Sequence, residues 1–317
     1  MSSEFNLIGK YFNRAHAHTD LGIGDDAALL SVKEGCQLAV STDMLVAGTH
    51  FFEDCQPYRI GWKSMAVNIS DMAAMGANPK WATLAIALPH VDESWLAEFS
   101  RGLFACAQAY QVDLIGGDTT RGPLNISVTI MGEVPASTAL LRSGAALGDD
   151  IWVSGTLGNA ALGLQFLLKK FNLTEDEQKV CLDDLYMPQP RVPLGLALHG
   201  LASSCIDISD GLIADLSHIL KASKLGANVD LNKINCLPTM KHRLNEDIVR
   251  QAILTGGDDY ELCFTAPEDN KAAIVVLGER LGVSLSCIGK VTQGEALSVL
   301  YEGMPVSLNK QGYDHFA

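Results

Sequence analysis

The sequence predicts an α+β chain in two parts. Strand-like and helix-like apolar periodicities alternate along it, in the order ββαβαββ after a first helix. A turn-rich stretch from Pro135 to Asp150 interrupts the pattern, and Asp149-Asp-Ile-Trp-Val-Ser restarts it as a strand. With 317 residues and 48% hydrophobic content, the chain can bury one large or two ordinary cores. The boundary is placed at residue 148, giving an N-terminal domain of residues 1–148 and a C-terminal domain of residues 149–317.

Each element has a local reason. Phe5, Ile8, Tyr11 and Phe12 lie at helical spacing and predict a helix from Glu4 to Ala15. Strand signals follow at residues 27–31 and 37–42. Pro57 opens a long helix that ends near Gly76. A strand at 81–88, a helix at 93–110 and strands at 113–117 and 125–133 complete the first part, with its helices expected on one sheet face. The second part reads as helices at 160–170, 175–185 and 192–201. A strand at 205–209 then runs into a helix at 211–223, and strands at 261–265, 285–291 and 297–301 follow, with a helix across 270–281.

The formal net charge is −14, which argues against nucleic acid and anionic membranes as partners. It leaves room for an anionic substrate if cations intervene. The 8 cysteines form no CxxC pair, and several sit in apolar runs. Buried free thiols in a reducing cytoplasm are the expectation. Neither a secretory signal nor an apolar run of about 18 residues is visible.

The chemistry is written in five short acidic loops: Gly22-Ile-Gly-Asp25-Asp26-Ala, Ser41-Thr42-Asp43-Met, Gly116-Gly117-Asp118-Thr-Thr120, Asp207-Ile-Ser209-Asp210-Gly211 and Gly256-Gly-Asp258-Asp259-Tyr. With Asp71 they bring nine carboxylates to predicted strand ends, turns or a helix face. Two unit charges 4 Å apart repel by roughly 4 kcal/mol at an effective dielectric of 20. Converging carboxylates therefore call for hard divalent cations, and Mg²⁺ bridges carboxylates to phosphates. Glycines at such loops let backbone approach a phosphate, and hydroxyls donate to its oxygens.

The 57–76 helix carries the sharpest signal. Ser64, Asn68 and Asp71 share one face of a helix that is otherwise small and apolar all round. A carboxylate in such surroundings is costly without a partner. The helix's methionines read as core. Gly155-Thr-Leu-Gly158 follows a strand and precedes a helix but misses the GxGxxG spacing, and no GxxxxGK[ST], GxSxG or His-Glu-x-x-His is present. His50, beside Phe51 and Phe52, is equally a core residue or a ligand contact. Arg142 is a candidate phosphate fork.

Together these segments resemble the thiamine-monophosphate kinases, a family within the aminoimidazole-ribonucleotide synthetase superfamily. The likeness runs end to end and includes Ala-Gly-Thr-His50-Phe, Asn68-Ile-Ser-Asp71-Met-Ala-Ala-Met-Gly, Asp258-Asp-Tyr-Glu-Leu-Cys-Phe and the ending Gly312-Tyr-Asp-His-Phe316. The resemblance implies ATP-dependent phosphorylation of thiamine monophosphate to thiamine diphosphate, the last step of that cofactor's synthesis, with several Mg²⁺ ions. It implies a homodimer whose N-terminal ferredoxin-like sheets join into a barrel, and a C-terminal α/β domain that completes the substrate site. By position, Asp26, Ser41, Thr42, Asp43, Asp71, Asp118, Asp207 and Asp210 would hold metal. Gly117, Asp118, Arg142 and Ser209 would contact ATP. His50, Asp258 and Phe316 would contact thiamine monophosphate, and Asp43, Asp71, Asp118 and Asp210 would be catalytic. Asp258 stands where the family commonly has Glu, and the shorter side chain implies contact through water.

Sister enzymes fit less well. No Cys precedes Cys36, as the selenophosphate synthetase chemistry would need, and the ending His315-Phe316-Ala317 lacks the terminal Cys of the hydrogenase-maturation relatives.

Overall fold

The computed structural model describes residues 4–306 and 312–313, so Phe316 lies outside the described residues. The chain divides into two compact units. Met1–Met72 with Ala77–Ser137 forms one, and Ala73–Gly76 with Thr138–Ala317 forms the other.

The first unit contains β1 (Cys36–Val46), α1 (Pro57–Ala74), β2 (Asn78–Leu88), α2 (Glu93–Ala109), β3 (Asp113–Arg121) and β4 (Asn125–Pro135). Its four strands lie in the order β1-β4-β2-β3. β4 pairs antiparallel with β1 and with β2, whereas β2 and β3 are parallel. The parallel pair follows from the α2 crossover, since parallel neighbours cannot be joined by a tight turn. The fold class is α+β as expected. The order βαβαββ, however, departs from the βαββαβ of a ferredoxin-like unit, because both crossovers precede the single β3–β4 hairpin.

Helix α1 is buried nearly all round from Lys63 to Ser70, as its small apolar sequence demands. It crosses α2 closely. A Cβ on Gly61 would lie 2.1 Å from the Phe99 carbonyl oxygen, and one on Gly102 would lie 1.9 Å from that of Tyr58. Met65, Ile69 and Met72 of α1 are core residues, together with Trp81, Phe99, Leu103, Ile126 and Ile130. β1 alternates. Leu38, Val40 and Met44 are 42%, 57% and 54% exposed on one sheet face, while Ser41 and Asp43 point to the other.

Two further expectations fail in this unit. Residues 27–31 form no strand. Leu21 and Leu29 make one isolated bridge, and Leu29 is exposed, so the run has no face to bury. The first helix stops at Phe12 rather than Ala15, closing in a π turn over Ile8–Phe12 before Asn13 turns extended.

The second unit contains β5 (Asp150–Ser154), α3 (Asn159–Leu167), α4 (Glu175–Tyr186), α5 (Val192–Ala197), β6 (Ser204–Asp207), α6 (Leu212–Ser223), β7 (Gly226–Asp230), α7 (Asp247–Thr255), β8 (Leu262–Ala266), α8 (Lys271–Leu281), β9 (Leu285–Thr292), β10 (Leu297–Tyr301) and β11 (Met304–Pro305). They build a seven-stranded sheet in the order β11-β10-β7-β9-β5-β8-β6. Only β10 and β7 are parallel. One core joins Ile151 and Val153 of β5, Ile206 of β6, Leu216 and Ile219 of α6 and Ile253 of α7. All eight cysteines are free, and six are buried; Cys36 and Cys287 are half-buried. No helix among the described residues is long and apolar enough to cross a membrane.

Candidate functional site

In the first unit the polar stripe of α1 is the seat of β1. Asn68, 1% exposed, donates through Nδ2 to the Ser64 carbonyl (3.0 Å), and its Oδ1 accepts from the Asp43 backbone N–H (3.0 Å). Ser64 Oγ donates to the Ile60 carbonyl at 2.7 Å. One turn on, Asp71 Oδ2 accepts a 2.5 Å hydrogen bond from Ser41 Oγ. The cost of placing this stripe in an apolar helix is thus met by partners on β1. Thr42 faces the opposite side of the sheet, where its hydroxyl meets that of Thr129 at 2.8 Å. Its side chain therefore does not join those of Ser41 and Asp43.

A cleft of about 630 Å³ opens in the same unit between the 22–28 loop and the start of the β2–β3 pair. Asp25 and Asp26 line it from the loop, and Gly116, Gly117, Asp118 and Thr119 line it from β3. Between Ala82 and Thr83 the β2–β3 register slips by one residue, and this bulge re-aims the segment carrying Asp118. Gly117 sits at φ +145°, and a Cβ there would lie 1.7 Å from the Leu84 carbonyl oxygen, so the bend requires glycine.

The approach to the 22–28 loop is anchored by a residue to which sequence reasoning gave no role. Asp113 accepts from the Ala17 and His18 backbone N–H groups (2.9 and 2.6 Å) and from the Thr19 hydroxyl (2.9 Å). Trp81 Nε1 donates to the His18 carbonyl at 2.9 Å. Burial opposes ionisation of Asp113, but these donors outweigh it and lower its pKa.

His50 closes the turn after β1. Its Nδ1 accepts from the Val46 N–H at 3.0 Å, which assigns the proton of the neutral ring to Nε2.

In the second unit the candidates gather at the end of β6. Asp207 ends the strand, 5% exposed, and Ser209 and Asp210 follow in the turn into α6. Asp215 Oδ2 accepts from the Asp210 and Gly211 N–H groups (3.0 and 3.1 Å) and holds that turn. Burial pushes the Asp215 carboxyl up to about 7. The Ser209 carbonyl accepts from the Asp258 N–H at 2.9 Å, and that of Ile208 from Tyr260 at 2.8 Å. Tyr313 N–H, from the C-terminal motif, reaches the Asp210 carbonyl at 3.1 Å. Asp258 and Tyr260 both adopt left-handed φ, +70° and +48°, a conformation that non-glycine residues hold only under constraint. Arg142 stands exposed in the loop before β5.

The remaining acidic-loop carboxylate, Asp259, is directed elsewhere, to the N–H of Gly158. Beside it lies a cluster that sequence reasoning missed. Glu261 pairs with Arg191, with Nε at 2.7 Å from Oε2, and accepts from Ser154 Oγ at 2.5 Å. Asn159 Nδ2 donates to Asp184 Oδ2 at 2.8 Å. Arg191, Ser154 and Asp184 come from separate segments with no local signature. Among the described residues no three His, Cys, Asp or Glu side chains come together as a metal-holding group. The donors offered to a metal are nevertheless all oxygen, carboxylates with the Ser41 hydroxyl, and that chemistry suits Mg²⁺.

Family models match both parts of the chain. The N-terminal domain of the AIR synthase related proteins matches residues 24–134, and the C-terminal domain of the same family matches residues 147–302. Thiamine-monophosphate kinases from Salmonella typhimurium and Escherichia coli K12 are each 48% identical to the chain, over 99% of it and 98% of their own length. The crystal structure of thiamine-monophosphate kinase from Stenotrophomonas maltophilia superposes with a TM-score of 0.84 at 46% identity, covering 91% of this chain and 92% of that one. AaThiL complexed with AMPPCP and TMP superposes with a TM-score of 0.77 at 30% identity, covering 93% and 92%. The chain belongs to the AIR synthase related family and, within it, to the thiamine-monophosphate kinases.

Proposed function

We propose that this chain transfers the γ-phosphoryl group of ATP to thiamine monophosphate, giving thiamine diphosphate and ADP. The observation that carries the reading is the near-full-length similarity to thiamine-monophosphate kinases, one relative being solved with an ATP analogue and TMP. The acidic cleft flanked by the Gly116-Gly117-Asp118 bend supports it, since exposed backbone and hydroxyls suit a polyphosphate.

The acceptor is a phosphate monoester with a second pKa near ~6, so it is largely dianionic at pH 7. No general base is needed to activate it. The barrier lies in bringing a dianion to a polyanion, and the enzyme's work is positioning and charge neutralisation. Asp26, Ser41, Asp43, Asp71 and Asp118 in the first unit, and Asp207 and Asp210 in the second, would hold Mg²⁺. Thr42 would contribute through an atom other than its hydroxyl, which is turned to Thr129. Mg²⁺ held by these residues would supply charge stabilisation for a direct in-line transfer. Gly117, Asp118, Arg142 and Ser209 would contact ATP. His50, Asp258 and Phe316 would contact thiamine monophosphate.

A homodimer fits the first unit. Its sheet carries Leu38, Val40 and Met44 on an exposed face, and a second copy of that face would bury them as a closed barrel. The free thiols suit the cytoplasm. ADP release on mixing the protein with Mg-ATP, with and without thiamine monophosphate, tests the reading. Release that depends on the monophosphate supports it, and ATP turnover indifferent to it contradicts it.

A further inference from the structure

The Gly155-Thr-Leu-Gly158 turn lies between a strand and a helix, and the protein sets its own carboxylate at the helix end of it. The Gly158 N–H points between the two oxygens of Asp259, at 3.1 and 3.0 Å. Gly158 caps α3, so Asp259 takes the position at a helix N-terminus that an anionic ligand would otherwise occupy. The neighbouring residues explain why a carboxylate is placed there. Asp258 and Tyr260, on either side, are both left-handed, and such a turn persists only where its surroundings over-determine it. The flanking residues Asp258 and Tyr260 are held through their N–H groups by the Ser209 and Ile208 carbonyls, and the residue between them is held by Gly158 through the Asp259 side chain. Tyr260 OH then donates to Asp258 Oδ1 at 3.2 Å and sets the direction of that carboxylate.

We propose that Asp259 is a positioning residue for the acceptor: its bond to Gly158 fixes the strained turn that presents Asp258 to thiamine monophosphate. The proposal rests on the kinase reading and on Asp258 as the acceptor contact. Burial, with repulsion from Glu261, Asp184 and Asp258, raises the Asp259 carboxyl well above the ordinary range. Asp259→Asn keeps one oxygen to accept from the Gly158 N–H.

The test is steady-state kinetics of Asp259→Asn and Asp259→Ala, with both substrates varied. Asp259→Ala is expected to raise KM for thiamine monophosphate by roughly tenfold to a hundredfold, the effect of a misplaced contact. KM for ATP should stay within about twofold, and Asp259→Asn should restore acceptor KM to near the wild-type value. If Asp259→Ala fails to fold, Asp259→Glu, which displaces the carboxylate by one methylene, carries the same test. Unchanged acceptor KM, or equal rises for both substrates, overturns the proposal and leaves Asp259 a structural residue. Failure of the wild-type protein to use thiamine monophosphate at all would instead remove the kinase reading.

Discussion

Ser41 Oγ donates a 2.5 Å hydrogen bond to Asp71 Oδ2, tying β1 to α1 between two residues proposed to hold metal. Asparagine at position 71 keeps an oxygen for Ser41 but loses the charge. Asp71→Asn is therefore expected to fold normally and lower kcat by at least about 10²-fold, since metal-borne charge stabilisation is worth several kcal/mol. Asp43→Asn leaves the backbone bond to Asn68 in place and should behave alike. Kinetics across a Mg²⁺ titration check this, and near wild-type rates in both variants would remove the metal assignment.

Gly117→Ala should damage the cleft without touching a charge. Its Cβ would fall 1.7 Å from the Leu84 carbonyl oxygen, so β3 must move away from β2. The expected cost is at least about 1–3 kcal/mol of stability, from strain at a left-handed position. ATP affinity should fall about tenfold or more, as backbone at the phosphate site is displaced. Calorimetric ATP binding and a thermal melt measure the two effects, and unchanged ATP affinity would place the nucleotide elsewhere.

Asp113 supplies a pH test. Its folded pKa is lowered, so it contributes stability above the unfolded value near about 3.9, and that contribution is lost as pH falls through the folded pKa. Asp113→Asn should melt below wild type at neutral pH, and the gap should narrow as pH drops below about 4. A gap independent of pH would show that the Ala17–Thr19 donors do not depend on the charge.

Much of this site was legible in the sequence because polar residues stood where they are costly. Ser64, Asn68 and Asp71 marked an inward-facing stripe only because the rest of α1 is apolar, and that stripe proves to seat β1. β7 was missed because Gly-Ala-Asn-Val-Asp offers just two buried apolar residues, Ala227 and Val229. α7 could have been found, since Ile248, Val249, Ala252 and Ile253 recur at helical spacing. Asp113 and the Glu261–Arg191 pair had no local pattern to betray them. Their partners lie 94 to 96 and 70 residues away in sequence and meet only in the fold.

The exposed face of β1 tests the dimer. Val40, 57% exposed, contributes little to the core of its own unit. Val40→Glu should therefore melt within about 0.5 kcal/mol of wild type as a monomer, while placing a charge in the proposed barrel. Light scattering should show the mass falling from dimer to monomer. A wild-type protein already monomeric, or a variant still dimeric, would exclude this face as the interface.

The central claim is tested most directly by identifying the product. The protein, Mg-ATP and either thiamine monophosphate or free thiamine are incubated, and thiamine diphosphate and ADP are quantified by chromatography. The account predicts equal amounts of both from the monophosphate and neither from free thiamine, because the acceptor is the phosphate itself. No thiamine diphosphate, with ATP consumed only when a different phosphorylated or amide acceptor is supplied, would contradict it.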